Sequence, residues 1–390
     1  MRGCIVKPTG RRKSWGVKVY ITDPQTGAKR PKWFSFPTRK EAETQLADML
    51  AKIHGGGTVA VTKQTVAEFL KAWLEKRAGA VRETSWDSYR AIVHGHLIPA
   101  LGQAPLRALT PLDVQGYITT KLAGKKDAQG KQIAKPLSPG TVRKHVAVLR
   151  EALGHAVKWG LIVRNVCDLV EKPRVARKEM RVWDQEQTQV FLAEAKRSSS
   201  YYPLYLTAIS TGMRAGELLG IPWSNIDFLL GTARVARTFY RMGGKQLFQE
   251  PKTEKGRRVV DLLPTVIEVL RDVKAKQDAI KREFGSAYTD LGLVFCQPDG
   301  KPLHLHNIVT RDFRRVTKKA KLPRIRFHDL RHSHATDLLA HGEHPKVVQE
   351  RLGHYDPAFT LRVYSHVLPG MQAQAAARLE ERLFGTKSPR

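Results

Sequence analysis

The first 54 residues carry two hydrophobic patterns, one with the period of a β-strand and one with the period of a helix. In WGVKVYIT (residues 15–22) apolar and polar residues alternate, which is typical of a half-buried strand. The turn-forming stretch DPQTG separates it from KWFSF (residues 32–36), which predicts the next strand. Thr38 and Glu41 then have the spacing of a capping box at the start of a helix. We therefore predict a small module of two or three strands and one helix.

From Thr65 to about Asp168 the period is helical throughout. Thr110 and Ser138 are suited to cap two of the helices, and Pro111 suits a first helical position. We predict the basic segment 124–136 between these two helices to be a loop. The segments with helical spacing are VAEFLKAWLEK, SWDSYRAIVHGHLI, TPLDVQGYITTKL and SPGTVRKHVAVLREALGHAVKWG.

The remaining residues mix strand and helix patterns. We predict strands at 229–241 and 257–262, with LVFC (residues 293–296) as a further short strand. The helices that the pattern predicts span residues 264–283, 304–320, 328–341, 345–352, 357–367 and 371–384.

These patterns together predict a multidomain protein, mainly α with small β-sheets (α+β). The triple glycine at 55–57 predicts a flexible joint, and EKPRVARKEMR (171–181) has the composition of a basic linker. The predicted divisions are a sheet-plus-helix domain at 1–57, a helical domain at 63–170, a linker at 171–182 and a mixed domain at 183–390.

The net charge points to a polyanionic partner. The 390 residues include 67 Lys and Arg against 36 Asp and Glu, a formal net charge of +31. Nucleic acid is the polyanion that such a field most often meets, although a basic and inert surface is the alternative. Three distant cysteines make no disulfide framework, and no apolar run approaches the ~20 residues that span a bilayer. We therefore predict a cytoplasmic protein that binds no membrane.

The stretch FHDLRHSHAT (327–336) allows two kinds of chemistry. His328 and His332 have the i, i+4 spacing of a zinc-binding H-E-x-x-H helix. However, Asp329 stands in place of the usual neighbouring glutamate, and Arg331 beside a dication would be electrostatically unfavourable. Arg331 therefore favours phosphate chemistry, and we predict no metal site. Two further histidines keep the metal alternative open, His334 and His341.

Seven residues in separate motifs complete the candidate site. The motifs are TGMRAGELLGIPWSNID, PKTEKGRRVVDL, FHDLRHSHAT and ERLGHYDPAFTLRVYSHV. Together and in that order they resemble the motifs of the tyrosine recombinase family, in particular phage and transposon integrases. The matching residues are Arg214, Glu217, Lys252, His328, Arg331, His354 and Tyr364.

The chemistry of a phosphodiester explains why two arginines suit such a site. The pentacoordinate transition state gathers negative charge on the non-bridging oxygens, to which guanidinium groups present permanently charged, forked donors. Arg214 and Arg331 are the candidates for this role. Tyr364 is the candidate nucleophile, whose phenol would attack phosphorus and form a phosphotyrosyl bond. Because that bond conserves the energy of the original linkage, we predict that no cofactor is needed.

The resemblance implies the remaining roles. Lys252 would protonate the leaving 5′-oxygen, and His328 would assist proton removal from the phenol and bind phosphate. His354 would donate a hydrogen bond to a phosphate oxygen, while Glu217 would orient the catalytic groups.

Tyr355 is an alternative nucleophile because it directly follows His354. The stretch GHYDP ends a helix at a turn containing proline, whereas LRVYSH lies in the next predicted helix. The family places its tyrosine in that helix, nine or ten residues after the histidine, and here the interval is ten. We therefore favour Tyr364.

The resemblance extends to the other two domains. The N-terminal domain resembles an arm-type DNA-binding domain, and the helical one a core-binding domain. The motifs that resemble the core-binding domain are Pro99-x-Leu101-Gly102, Leu109-Thr110-Pro111 and Ser138-x-x-Thr141-Val142-Arg143. In place of the family's Asn-Pro after this domain, the chain has Asn165-Val166, a difference that concerns a linker. The basic residues that we predict to contact DNA are Arg11, Arg12, Lys13, Lys18, Lys32, Arg143, Arg174, Arg177, Arg257 and Arg258.

The activity that the resemblance implies is site-specific DNA recombination, integrating or excising a phage or other mobile element in the cytoplasm or nucleoid of a bacterial host. Four protomers would act on two double-stranded DNA segments through a Holliday junction, with core and arm sites as targets. The C-terminal helix MQAQAAARLEERLF would dock on a neighbouring subunit, or pack within its own domain. DNA-bending and directionality factors are further expected partners.

Two other classes of function compete with this interpretation. One comprises related enzymes, a chromosome-dimer resolvase or a type IB topoisomerase; the basic N-terminal domain argues against the resolvase. The other is an architectural DNA-binding protein without catalysis. The complete set of catalytic motifs argues against it.

Overall fold

The computed structural model describes residues 3–8, 14–22, 29–54, 64–126, 129, 132–176, 180–242, 245–250, 256–354, 356 and 371–385. They fall into two compact units, Met1–Arg177 and Lys178–Arg390. The boundary lies inside the segment 171–182 that the sequence predicts as a linker. The predicted fold class, mainly helical with small sheets, is confirmed. The finer division into three domains stays a prediction.

A three-stranded antiparallel sheet with one helix forms the N-terminal part of the first unit. The strands pair in the order in which they follow along the chain, and the strands predicted at 15–22 and 32–36 are both confirmed. Val17, Val19 and Ala42 are buried between the sheet and the helix. The Thr38 hydroxyl accepts a hydrogen bond from the Glu41 amide at 3.2 Å, as the capping pattern predicts. The elements are β1 (Gly3–Val6), β2 (Trp15–Thr22), β3 (Lys29–Phe36) and α1 (Arg39–His54).

Five helices build the rest of the first unit around a separate hydrophobic cluster. Both predicted caps are present: Thr110 accepts from the Asp113 amide and Ser138 from the Thr141 amide, each at 3.2 Å. The predicted basic loop contains a short hairpin, β4 with β5. The elements are α2 (Val66–Arg77), α3 (Glu83–Ile92), a π-helical turn (Val93–Leu97), α4 (Ile98–Leu101), α5 (Pro111–Ala123), β4 (Lys125–Lys126), β5 (Gln132–Ala134), α6 (Pro139–Lys158) and a 3₁₀ turn (Val166–Leu169).

The second unit packs helices around an aromatic core and carries two small sheets. Trp183, Phe191, Tyr205 and Phe313 lie in ring contact at its centre. The first elements are α7 (Gln185–Ser198), α8 (Tyr202–Thr211), α9 (Ala215–Gly220), β6 (Ile226–Asp227), β7 (Thr232–Val235), β8 (Thr238–Met242), β9 (Lys245–Gln249), β10 (Arg258–Asp261) and α10 (Pro264–Phe284).

The C-terminal helices follow the predicted positions closely. Residues 357–367, where the sequence predicts a further helix, lie outside the described residues. Among the described residues, no helix is both long and apolar enough to cross a membrane. The helices are α11 (Leu305–Asn307), a π-helical segment (Ile308–Phe313), α12 (Arg314–Lys319), α13 (Asp329–Ala340), α14 (Pro345–Leu352) and α15 (Met371–Phe384).

Two strand predictions in this unit are wrong. The segment 229–241 is not one strand, because β7 pairs with β10 in one sheet and β8 pairs with β9 in another. The chain changes sheet at Arg237, whose Nε donates to the Gly220 carbonyl at 2.6 Å. LVFC (293–296) makes only isolated bridges, through Leu293 and Cys296, and its burial reflects packing in the core.

Candidate active site

Arg214 and Glu217 are joined at the start of α9. Arg214 precedes the first helical residue, and its amide donates to Glu217 Oε2 at 2.8 Å. Its Nη1 donates to Glu217 Oε1, also at 2.8 Å. The Glu217 side chain is 3% exposed, whereas that of Arg214 is 41% exposed. Because of the i, i+3 spacing, Glu217 holds both the amide and one guanidinium nitrogen of Arg214, while part of the Arg214 side chain stays exposed.

Arg258, on β10, binds the same carboxylate. Its Nη2 donates to Glu217 Oε2 at 2.8 Å and its Nη1 to Oε1 at 3.2 Å. Burial by itself would raise the pKa of Glu217, but hydrogen bonds and charges from Arg258 and Arg214 outweigh it and lower the pKa to about 2. Glu217 is therefore ionised near neutral pH, as an anion held between two guanidinium groups.

Arg331 is buried on the first turn of α13. Its Nη1 donates to the Gly212 carbonyl and its Nη2 to the Leu352 carbonyl, each at 2.7 Å. One guanidinium thus ties the end of α8 to the end of α14. A lysine would lack this geometry, because all its donors are on one nitrogen, whereas here two separate nitrogens of the guanidinium make the two bonds.

His354 lies just beyond α14, after Gly353 in the left-handed conformation. The His354 amide donates to the Gln349 carbonyl at 3.0 Å, and the Gln349 side-chain amide donates back to the His354 carbonyl. His354 is 7% exposed. The backbone on which its imidazole sits is therefore fixed from both sides.

The candidate histidines are neutral near pH 7. Burial, followed by the charges of Arg331 and Arg214, lowers the pKa of His354 to about 3. His328 is exposed directly before α13, and partial desolvation together with the charge of Arg331 lowers its pKa; its other charged neighbours include Arg214. Neutral imidazole can accept a proton at one nitrogen and donate a hydrogen bond from the other. The bonds of Arg331 to the Gly212 and Leu352 carbonyls, two residues before Arg214 and two residues before His354, hold these segments together.

His332 and His334 are packing residues of α13. The His332 ring stands perpendicular to the His328 ring, with centroids 5.2 Å apart. Burial lowers the pKa of His332 to about 4 and that of His334 to about 3. Within the ranges that the structure describes, no group of three or more His, Cys, Asp or Glu residues is placed to hold a metal ion.

Gly212 allows the close approach of three elements at this site. Its φ is +64°, and a Cβ there would lie 2.6 Å from Leu352 Cδ2 and 2.7 Å from His334 Cδ2. Its carbonyl is the acceptor for Arg331. A side chain at this position would therefore displace the side chains of Leu352 and His334, which pack against it.

We expect Gly212→Ala to destabilise the protein by roughly 2–5 kcal/mol, from left-handed strain plus overpacking. Gly231→Ala is the matched control, because its φ is also +64° but nothing lies within 4 Å of the added Cβ. That variant should lose only about 1–2 kcal/mol. Urea unfolding of both variants measures the difference, and equal losses would contradict the packing argument.

Lys252, Tyr355 and Tyr364 lie outside the described residues. Their predicted roles as general acid, alternative nucleophile and nucleophile stay predictions.

The predicted DNA contacts of the N-terminal sheet do not share one face. Directly opposed residues of antiparallel strands point to the same side of the sheet. Lys18 is opposite Trp33, whereas Lys32 is opposite Val19, which is buried. Lys18 therefore lies on the outer face, where its Nζ stands 5.4 Å from the Trp33 ring centroid. Lys32 projects from the face that packs on α1.

Arg143 is exposed on α6 and lines a groove of about 860 Å³ together with four other basic residues. Arg174 is exposed in the segment that follows. Arg257 is 58% exposed and pairs with Glu250 at 2.5 Å, whereas the side chain of Arg258 is 6% exposed. The buried position of Arg258 does not favour the predicted DNA contact. Arg11, Arg12, Lys13 and Arg177 lie outside the described residues.

Sequence reasoning missed Arg258 and Arg351 as internal supports. Arg351 Nη2 donates to the Ser210 carbonyl at 2.9 Å and to the Asp261 carbonyl at 3.0 Å. Arg258 stands in a stretch rich in basic residues, and Arg351 follows Glu350 near a helix end, so nothing in the residue types marks either guanidinium as buried. For Arg258 the period of two along its strand, which puts it on the same side as the buried Val260, is an available signal.

Two family models match this chain, one over most of the second unit and one over part of the first. The phage integrase family matches residues 181–370, and the phage integrase N-terminal SAM-like domain matches residues 65–122. A tyrosine recombinase XerC-like protein of Caldanaerobacter subterraneus subsp. tengcongensis is 26% identical over 388 residues, covering 95% of this chain and 96% of the relative.

Solved structures show the same fold. The Tn1549 transposon integrase in complex with transposon right end DNA aligns with a TM-score of 0.66 at 21% identity, covering 82% of this chain and 99% of that one. A lambda integrase tetramer bound to a Holliday junction aligns with a TM-score of 0.52 at 18% identity, covering 88% of this chain and 94% of that one. The two family models and the XerC-like relative, beyond this shared fold, show that the chain belongs to the phage integrase family of tyrosine recombinases.

Proposed function

We propose that this recombinase cuts and rejoins double-stranded DNA at specific sites through a 3′-phosphotyrosyl intermediate, and so integrates or excises a mobile element. The observation that carries the proposal is the pair of bonds from Arg331 to the Gly212 and Leu352 carbonyls, each at 2.7 Å. These carbonyls lie two residues before Arg214 and two residues before His354, and His328 stands directly before α13, three residues ahead of Arg331. Two fixed guanidinium groups and two neutral imidazoles are the groups that an anionic phosphoryl-transfer transition state requires.

In the cleavage step the Tyr364 oxygen bonds to phosphorus, and the bond from phosphorus to the 5′-oxygen breaks. The phenol proton leaves towards His328, which is neutral near pH 7 because partial desolvation and the charge of Arg331 lower its pKa. Lys252 supplies a proton to the departing 5′-oxygen. Arg214 and Arg331 balance the charge on the non-bridging oxygens, and His354 donates a hydrogen bond to one of them. Attack by a 5′-hydroxyl reverses each transfer, so no nucleotide is hydrolysed.

The proposed partners are core-site and arm-site DNA and three further copies of this chain. A net charge of +31 supports a polyanionic partner. The tetrameric lambda integrase on a Holliday junction supports four protomers on two duplexes. On α15, Leu379 and Leu383 are exposed, which supports the proposed docking of this helix on a neighbouring subunit. Accessory bending and directionality factors and a location in the bacterial cytoplasm complete the proposal.

The test is a nicked duplex that carries the element's end sequence, incubated with the full chain in EDTA and without ATP. Cleavage next to the nick releases a short fragment, so the covalent protein–DNA complex cannot religate and accumulates. We expect a band of retarded mobility on a denaturing gel that protease digestion removes. A chain that binds this DNA by gel shift but forms no such band would point to a DNA-binding protein without catalysis. Relaxation of supercoiled plasmid lacking the site would favour a topoisomerase instead.

A further inference from the structure

Arg258 has the contacts of a residue that connects two parts of the active site. Two of its nitrogens bind the Glu217 carboxylate, at 2.8 and 3.2 Å. Its Nε donates to the Arg351 carbonyl, on the last turn of α14, at 2.7 Å. We propose that Arg258 is a positioning residue for the cleavage reaction, which holds Arg214 through Glu217 and His354 through α14. This inference rests on the proposed function.

The connection to Arg214 passes through one carboxylate. Glu217 offers two oxygens, and each accepts a bond from Arg258 as well as one from Arg214. Arg258 and Glu217 are both almost fully buried, so water does not compete for these bonds. Without Arg258 the carboxylate would lose half of these bonds and could rotate, and the Arg214 guanidinium would move with it.

The connection to His354 uses the unpaired carbonyls at the end of a helix. The last carbonyl groups of a helix have no partner within it, and cationic donors suit them. On α14, the Arg351 carbonyl accepts from Arg258 and the Leu352 carbonyl accepts from Arg331. Two buried guanidinium groups therefore bind the carbonyls of two successive residues, which lie three and two residues before His354.

Arg258 and its neighbour Arg257 differ in the direction of their side chains. Successive residues of a strand point to opposite sides, and Arg257 is directed to the surface, where it pairs with Glu250. Arg258 instead points inwards, with its guanidinium committed to protein acceptors. A contact with the DNA backbone would require it to leave both Glu217 and α14.

The test compares Arg258→Gln and Arg258→Lys with wild type in single-turnover cleavage of the nicked substrate, at saturating DNA. We expect the rate constant to fall about 10–100-fold, the usual cost of losing a partner that orients a catalytic group. Arg258→Lys keeps the charge but not the fork, so it should recover stability and remain slow. Arg197→Gln is the control, because Arg197 is exposed and pairs with Glu194 away from the site. It should retain the wild-type rate.

The amplitude of the covalent complex distinguishes positioning from folding. A positioning role lowers the rate constant while the final yield and the affinity for DNA stay at wild-type values. A lower yield with an unchanged rate constant would mean that Arg258 only keeps the protein folded, and would overturn the proposal. Weaker DNA binding with an unchanged rate constant at saturating DNA would indicate that Arg258 contacts DNA, and would also overturn the proposal. Failure of the wild type to form the complex would reject the proposed function rather than this role.

Discussion

Tyr364→Phe is expected to abolish the covalent protein–DNA complex while leaving DNA binding intact. Phenylalanine differs by one hydroxyl oxygen, and that oxygen is the atom that would bond to phosphorus. In the proposed mechanism both arginines are always protonated and cannot attack phosphorus, while His328 takes the phenol proton and His354 donates to a phosphate oxygen. The measurement is the denaturing-gel band formed on the nicked duplex. It is followed for at least a hundred times as long as wild type needs to reach completion, so that a rise of roughly 3 kcal/mol in the activation free energy would still be detected.

Tyr355→Phe is the matched control, since it removes the same atom from the residue next to His354. We expect it to cleave at close to the wild-type rate. A band that persists in Tyr364→Phe and disappears in Tyr355→Phe would reverse the assignment of the nucleophile. Loss of the band in both variants would indicate that the local structure, rather than one hydroxyl, had been changed.

The parts of the site that depend on local spacing could be predicted from the sequence. Arg214 and Glu217 stand three residues apart, and one turn of helix is enough to bring their side chains together. The cap at Thr110 and the helix beginning at Pro111 follow from the same kind of local pattern. Each of these features needs only a few consecutive residues, so a single sequence contains the information.

The contacts that assemble the site could not be predicted, because they join residues far apart in the chain. Arg331 reaches the carbonyl of Gly212, more than a hundred residues earlier. Backbone carbonyls have no residue type, so the sequence shows no sign that one of them will accept such a bond. Arg258 has the same difficulty: its basic neighbour suggested a DNA-binding stretch, and only the orientation of β10 sends one arginine inwards. The single strand expected at 229–241 failed for a similar reason, since pairing with β10 and with β9 is a tertiary choice.

Arg331→Ala is expected to slow single-turnover cleavage by about 10²–10³, the usual cost of losing one preorganised donor to a transition state. The same change leaves the Gly212 and Leu352 carbonyls without the donor that now binds both at 2.7 Å. Each unsatisfied buried carbonyl costs about 1–3 kcal/mol, so the free energy of unfolding should fall as well. Urea unfolding and the single-turnover rate measure the two effects separately.

Arg331→Lys decides whether charge or geometry matters more. Lysine keeps the positive charge but has a single donor nitrogen, so it lacks the planar fork whose two nitrogens bind the Gly212 and Leu352 carbonyls. We therefore expect it to cleave far more slowly than wild type, with part of the stability regained. Arg282→Lys on α10 is the control, because this exposed arginine makes its bond within its own helix, to the Asp278 carbonyl. Wild-type cleavage by Arg331→Lys would show that a positive charge alone suffices, and that the fork between α8 and α14 is not what places it.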